Sequence, residues 1–249
     1  MDTSEHVHPF PASMPPPEAP APATPGGPDQ PPWPASVGLL GLLVALLATF
    51  VLSGVVAVAY LVLGVDDPGK TDSFEFVALA AQSAAFVVTA LLMTSRFGPP
   101  SAKQFGFRPF KRSAVGWALV ALAIYFLLSA IYISITQPPS DDLPRQLGAD
   151  KSTTLAIMTG IFVIGIAPPV EELFFRGFLY QSLRTRMGPL GGAILSGLIF
   201  GAIHLKLDYL VPLAILGTLL CLLFQKTGSL WPCILVHALN NAIAFSVTT

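Results

Sequence analysis

Beyond Pro34 the chain is a succession of long runs without Asp, Glu, Lys or Arg. They cover residues 37–65, 76–95, 114–136, a stretch from 153 to the Pro168-Pro169 pair, and then 187–203, 209–225 and 229–249. A helix needs about 20 apolar residues to cross ~30 Å of hydrocarbon. Inside lipid every backbone N–H and C=O must be satisfied within the segment or against protein. The runs are too long for strands and lack the in–out alternation of a membrane barrel. They predict an all-α, polytopic transmembrane helical bundle of about seven spans, or eight if Pro168-Pro169 separates two membrane segments. No repeat divides the chain into similar halves.

Composition agrees. Only 11% of the 249 residues are charged, against about 25% in an ordinary soluble domain. Thirteen basic and 14 acidic residues leave a net charge of -1 with no long basic run. A soluble globular enzyme is excluded, and so is a nucleic-acid partner held by bulk charge. The two cysteines, Cys221 and Cys233, lie in apolar runs and read as small core residues.

Residues 1–35 form a separate region, dense in proline, with no Lys or Arg and with the acids Asp2, Glu5, Glu18 and Asp29. Proline blocks helix and removes backbone donors, so a disordered or polyproline-like tail is expected. Its lack of a basic start and the late apolar run separate it from a signal peptide. His6 and His8 read as solvated tail residues. The membrane domain then occupies 36–249.

The connectors orient the spans. Residues 96–112 carry Arg96, Lys103, Arg108, Lys111 and Arg112 and no acid, whereas 66–75 carry Asp66, Asp67, Asp72 and Glu75 against one Lys70. The positive-inside rule puts the first cluster in the cytoplasm and the second outside. Alternation then places the tail, Arg184, Arg186 and Lys226 in the cytoplasm.

Ionisable groups inside a bilayer are costly and mark functional positions by default. Here they are Glu171, Glu172, Arg176, His204 and His237, all in the second half. On a helix Glu172 and Arg176 are four apart and face each other. Glu171 points about 100° away and keeps a free carboxylate. Phe200 and His204 share a second face, and His237 and Asn241 a third. Each motif has a plain structural reading as well: an acid pair at a helix start, an interfacial histidine, an interhelical hydrogen bond. Depth links the first two. Glu171 lies 16 residues before Met187 and His204 lies 17 after it. With a turn near Met187-Gly188, both stand roughly 25 Å from it. His237, nine residues after Gly228, joins them only if the 209–225 helix is tilted or short.

At these residues the chain resembles the CPBP family of intramembrane proteases, also called the Abi or CAAX-protease family, which includes the type II CAAX prenyl endopeptidase. Its pattern is EExxxR, FxxxH and HxxxN on successive membrane helices. Glu171, Glu172 and Arg176, then Phe200 and His204, then His237 and Asn241 meet it in order, within about residues 100–249. The resemblance implies an intramembrane endopeptidase acting on a membrane-embedded or lipidated peptide or protein. Glu171 matches the catalytic glutamate and His204 its partner in activating water. His237 and Asn241 match the pair that stabilises the oxyanion, and Glu172, Arg176 and Phe200 match supporting positions. No cofactor is expected. The alternative is zinc held by Glu171, His204 and His237, a known catalytic ligand set, although no HExxH helix is present.

Two other readings stay open. One is a non-catalytic transporter or scaffold using these residues as a polar relay, for which a helix broken at Pro168-Pro169 would be a motive. The other is a family member that binds peptides without cutting them. The short loops and alanine-rich composition point to a prokaryotic cell membrane. Alternation puts Glu171 nearer the outside, whereas CAAX processing implies cytosolic access.

Overall fold

The computed structural model describes residues 31, 33–139 and 143–248. The expectation of a disordered tail lies almost wholly outside these residues. Ten α-helical elements follow in order, with no β-strand among the described residues: α1 Ala35–Val62, α2 Asp72–Ser95, α3 Ala102–Phe105, α4 Ser113–Thr136, α5 Leu143–Gln146, α6 Thr153–Gly160, α7 Ala167–Glu172, α8 Gln181–Ala202, α9 Leu207–Thr227 and α10 Leu230–Thr248. Six stretches are long and apolar enough to cross a membrane, so the chain is a multi-pass membrane protein.

The expected fourth and fifth spans lie within one 50-residue run, Thr153–Ala202, as two helical segments that meet at a kink at Gly188. Pro168-Pro169 does not break it. Residues Ile161–Ile166 and Leu173–Tyr180 are π-helical, so the backbone bonds there reach five residues back. A proline in such a register leaves one carbonyl unpaired, and that loss can be made good from elsewhere. The reversal comes at Gly188 instead, with φ 72° and ψ 172°, a left-handed φ that glycine adopts freely. Beyond it the chain doubles back: a Cβ on Gly192 would lie 2.9 Å from the Arg184 backbone nitrogen. The returning half of α8 packs against α9 through glycine, with Gly197 and Gly217 in backbone contact.

The connectors gather at two ends. At one, the Leu230 N–H donates to the Gly106 carbonyl, Ser229 Oγ to Arg108 O and Gln181 Nε2 to Gln104 O. At the other, Lys151 pairs with Asp72 at 2.6 Å, and Tyr132 donates its hydroxyl proton to Asp208 O. The first end carries Arg96, Lys103, Arg108, Lys111, Arg112, Arg184, Arg186 and Lys226. By the positive-inside rule it is the cytoplasmic end.

The first half of the chain holds the site helix in place. Trp33 is buried, although the sequence reading assigned it to the tail. Its Nε1 donates to the Phe178 carbonyl at 3.4 Å, and its ring packs against Phe105 and Phe178. Next to it α1 crosses the π segment closely. A Cβ on Gly38 would fall 1.7 Å from Ser182 Oγ, and one on Gly41 2.5 Å from the Phe178 ring, whereas Gly54 has nothing within 4 Å. Gly41→Leu is therefore expected to lower the detergent melting temperature by several degrees, an overpacking cost of about 1–3 kcal/mol. Gly54→Leu, on the same helix, should leave it unchanged.

Candidate active site

Glu171 and Glu172 end α7 in the middle of the long rod. Arg176 follows in the π segment, Phe200 lies in the last turn of α8 and His204 in the turn just beyond it, and His237 and Asn241 lie on α10. The Glu172 and Arg176 side chains are fully buried and paired, Arg176 Nη1 donating to Glu172 Oε1 at 2.8 Å. The same oxygen meets His237 Nδ1 at 2.8 Å. Arg176 Nη2 donates to the Gly217 carbonyl at 3.2 Å, and its guanidinium lies 4.6 Å from the Phe200 ring centroid. Two cationic or cation-forming groups thus converge on one carboxylate oxygen.

Glu171 is left out of this network. Its Oε2 is buried without a hydrogen-bond partner and stands 3.7 Å from His237 Nε2, too far for a hydrogen bond. Each of the two adjacent glutamates has an Oε2 without a hydrogen bond, but Glu172 is held through Oε1 by Arg176 and His237, whereas Glu171 meets His237 only at 3.7 Å. The local spacing Glu172-x-x-x-Arg176 made half of this readable. The tie from Glu172 to His237 crosses 65 residues and has no local signal.

Phe200 is the centre of the aromatic packing. It is fully buried, with its ring 4.9 Å from that of His204, 5.7 Å from that of His237 and 5.1 Å from that of Phe175. His204 Nδ1 lies 2.7 Å from the Phe200 carbonyl. A carbonyl only accepts, so Nδ1 carries a hydrogen, and in the neutral ring Nε2 is the acceptor.

Asn241 Nδ2 donates to the Val163 carbonyl at 2.8 Å, while its Oδ1 accepts from Asn240 Nδ2 at 3.4 Å. The Val163 carbonyl is available because of Pro168. The Ala167 N–H bonds the Phe162 carbonyl, five back, and in that register the next donor for Val163 would be the N–H that proline lacks. Asn241 fills the gap from another helix and keeps one N–H over. The sequence reading missed Val163. The spacing of Pro168 from Val163 is the signal, visible only once the π register is known. Asn241→Ala should cost about 1–3 kcal/mol in detergent unfolding by stranding that carbonyl. Pro168→Ala in the same chain should recover part of it by restoring a backbone donor.

His237 reaches the glutamates although α9, at 21 residues, is not short. The start of α10 is level with Gly177, whose Cβ position lies 3.5 Å from Leu230 Cδ1. The rod then continues past that level to Gly188. A zinc ion would need Glu171, His204 and His237 to converge. Among the described residues no group of three His, Cys, Asp or Glu side chains is placed to hold a metal ion, while His237 turns Nε2 toward Glu171 with Nδ1 held by Glu172.

Residues 153–243 match the family described as type II CAAX prenyl endopeptidase Rce1-like. That stretch is similar to the family. It holds all seven motif residues and is narrower than the 100–249 expected from the motifs. Two bacterial proteins are similar to part of the chain. An Escherichia coli protein titled "Uncharacterized 24.3 kDa protein" is 27% identical over 128 residues, 49% of this chain and 59% of that protein. The Bacillus subtilis (strain 168) protein titled "Putative membrane peptidase YdiL" is 24% identical over 103 residues, 38% of this chain and 42% of that protein. The matched region thus spans about half the length of these curated relatives. No solved structure matches the chain significantly. Within the matched stretch the second glutamate is held by the arginine and by the histidine of the third motif, and the first stands 3.7 Å from that histidine.

Proposed function

We propose that the chain is an intramembrane endopeptidase that hydrolyses a peptide bond in a membrane-embedded or lipidated peptide or protein. The observation that carries this reading is that Glu172 is held by Arg176 and His237 while its neighbour Glu171, in the stretch similar to the Rce1-like family, is not tied to the arginine. Amide hydrolysis needs a base for water, donors for the developing oxyanion and an acid for the leaving amine. Glu171 takes the water proton, and His204, held by the Phe200 carbonyl, offers Nε2 to the same water. Water oxygen then bonds to the carbonyl carbon, and the carbonyl oxygen becomes anionic. His237 in its imidazolium form donates from Nε2, with the Glu172 carboxylate against Nδ1 stabilising that charge as an acid does behind a catalytic histidine. The spare N–H of Asn241 is the second donor. Protonation of the amine, by the proton Glu171 received, breaks the C–N bond. No step passes through a metal.

The transporter alternative took its motive from a helix broken at Pro168-Pro169, and the rod is continuous there. Liposome-reconstituted protein incubated with hydrophobic peptides in ¹⁸O-water, with chelator present, tests the proposal. The expected result is one ¹⁸O in each newly formed carboxyl terminus. Products no more abundant than in protein-free liposomes would overturn it.

A further inference from the structure

On the outer face of α10, away from Glu172, a groove of about 170 Å³ runs between α10 and α4. Its walls are two helical stripes. Val115, Ala118, Leu119 and Leu122 come from α4, and Pro232, Leu235, Val236 and Leu239 from α10, with Phe110 at one end. Each stripe repeats at three- and four-residue spacing, so each is one helix face. The groove is apolar along its length and faces the hydrocarbon.

Its Phe110 end is charged. Lys111 and Arg112 follow Phe110 and stand four and three residues before Val115, which continues the α4 stripe into the cytoplasmic interface. The chain turns smoothly there, the Ala114 N–H bonding Lys111 O and the Val115 N–H bonding Arg112 O. Both side chains are exposed, and neither has an ion-pair or side-chain hydrogen-bond partner among the described residues. No acid occurs in residues 96–112. Trp231, half exposed, sits edge-on to Phe107 at 5.6 Å at the start of the α10 wall. An aromatic at this depth marks the headgroup level. The groove between α4, α8 and α9, lined by Leu128, Ile194 and Leu210 among others, has no comparable pair of cations on its α4 stripe.

We propose that the α4–α10 groove seats one anionic phospholipid, an acyl chain lying between the stripes and the phosphate held by Lys111 and Arg112. Charge complementarity selects the occupant. A zwitterionic lipid offers the same chain but cancels the attraction of its phosphate with its own cation, whereas an anionic headgroup keeps it. Because α10 carries His237 and Asn241, this lipid steadies the helix that holds half of the candidate site. The proposal does not depend on what that site does.

Native mass spectrometry of the purified full-length chain, titrated with dioleoyl phosphatidylglycerol or dioleoyl phosphatidylcholine, tests it. The wild type should retain phosphatidylglycerol on the order of tenfold better than phosphatidylcholine. The double variant Lys111→Gln/Arg112→Gln should lose that preference. Leu119→Trp, which fills the groove and leaves both cations, should lose retention of either lipid. Equal retention of the two lipids by the wild type would overturn the proposal. An unchanged preference in the double variant, or undiminished retention in Leu119→Trp, would overturn it equally.

Discussion

Arg176→Met is expected to destabilise the bundle by about 3–5 kcal/mol, the cost of leaving a buried charge without its counter-ion. Glu172 has no route to water, since its side chain is fully buried against Arg176. With the guanidinium gone, Glu172 Oε1 keeps His237 Nδ1, but the Gly217 carbonyl at 3.2 Å from Arg176 Nη2 and the Phe200 ring at 4.6 Å both lose a partner. The change is read as a fall in midpoint during unfolding in detergent and SDS. Adding Glu172→Gln to Arg176→Met should recover a substantial part of the loss, because a neutral pair leaves no uncompensated charge. If the double variant were as unstable as the single one, the arginine would be acting through its packing and the ion pair would not be the source of the cost.

Glu171→Gln is expected to lower hydrolysis by about 10²–10⁴, the usual range for removing a general base. The fold should survive it. Glu171 Oε2 makes no hydrogen bond, and an amide is close in shape to a carboxylate, so the melting temperature should stay within a degree or two of wild type. Glu172→Gln should lose stability clearly as well as activity, because it weakens the contacts to both Arg176 and His237. The difference in stability distinguishes a reacting carboxylate from one that also holds the fold at adjacent positions.

Much of the architecture was legible because membrane spans are written in local composition. The charge-free runs gave the helices, and the basic and acidic connectors gave the two ends. The reversal near Met187-Gly188 was legible too, since glycine followed by proline cannot continue a regular helix. The expected break at Pro168-Pro169 was not there, for a tertiary reason. A carboxamide on α10, 78 residues away, satisfies the Val163 carbonyl that the proline leaves open. Nothing near the prolines announces that partner. Trp33 was misplaced for a similar cause: its neighbours are prolines, but its indole finds the Phe178 carbonyl 145 residues on.

The site divided the same way. Glu172 with Arg176, and Phe200 with His204, are four-residue pairs on one helix face, and their contacts form as the spacing predicts. The joining of His237 to Glu172, and of Arg176 to Gly217, depends on how separate helices pack. Local spacing has no access to that. The motif order supplied it only through resemblance to a family.

The most direct test compares membrane peptidomes of cells producing the wild type, Glu171→Gln or His204→Ala at equal protein levels. The account requires a set of peptide termini present with the wild type and missing from both variants. Identical termini in all three, with the variants folded and in the membrane, would contradict it.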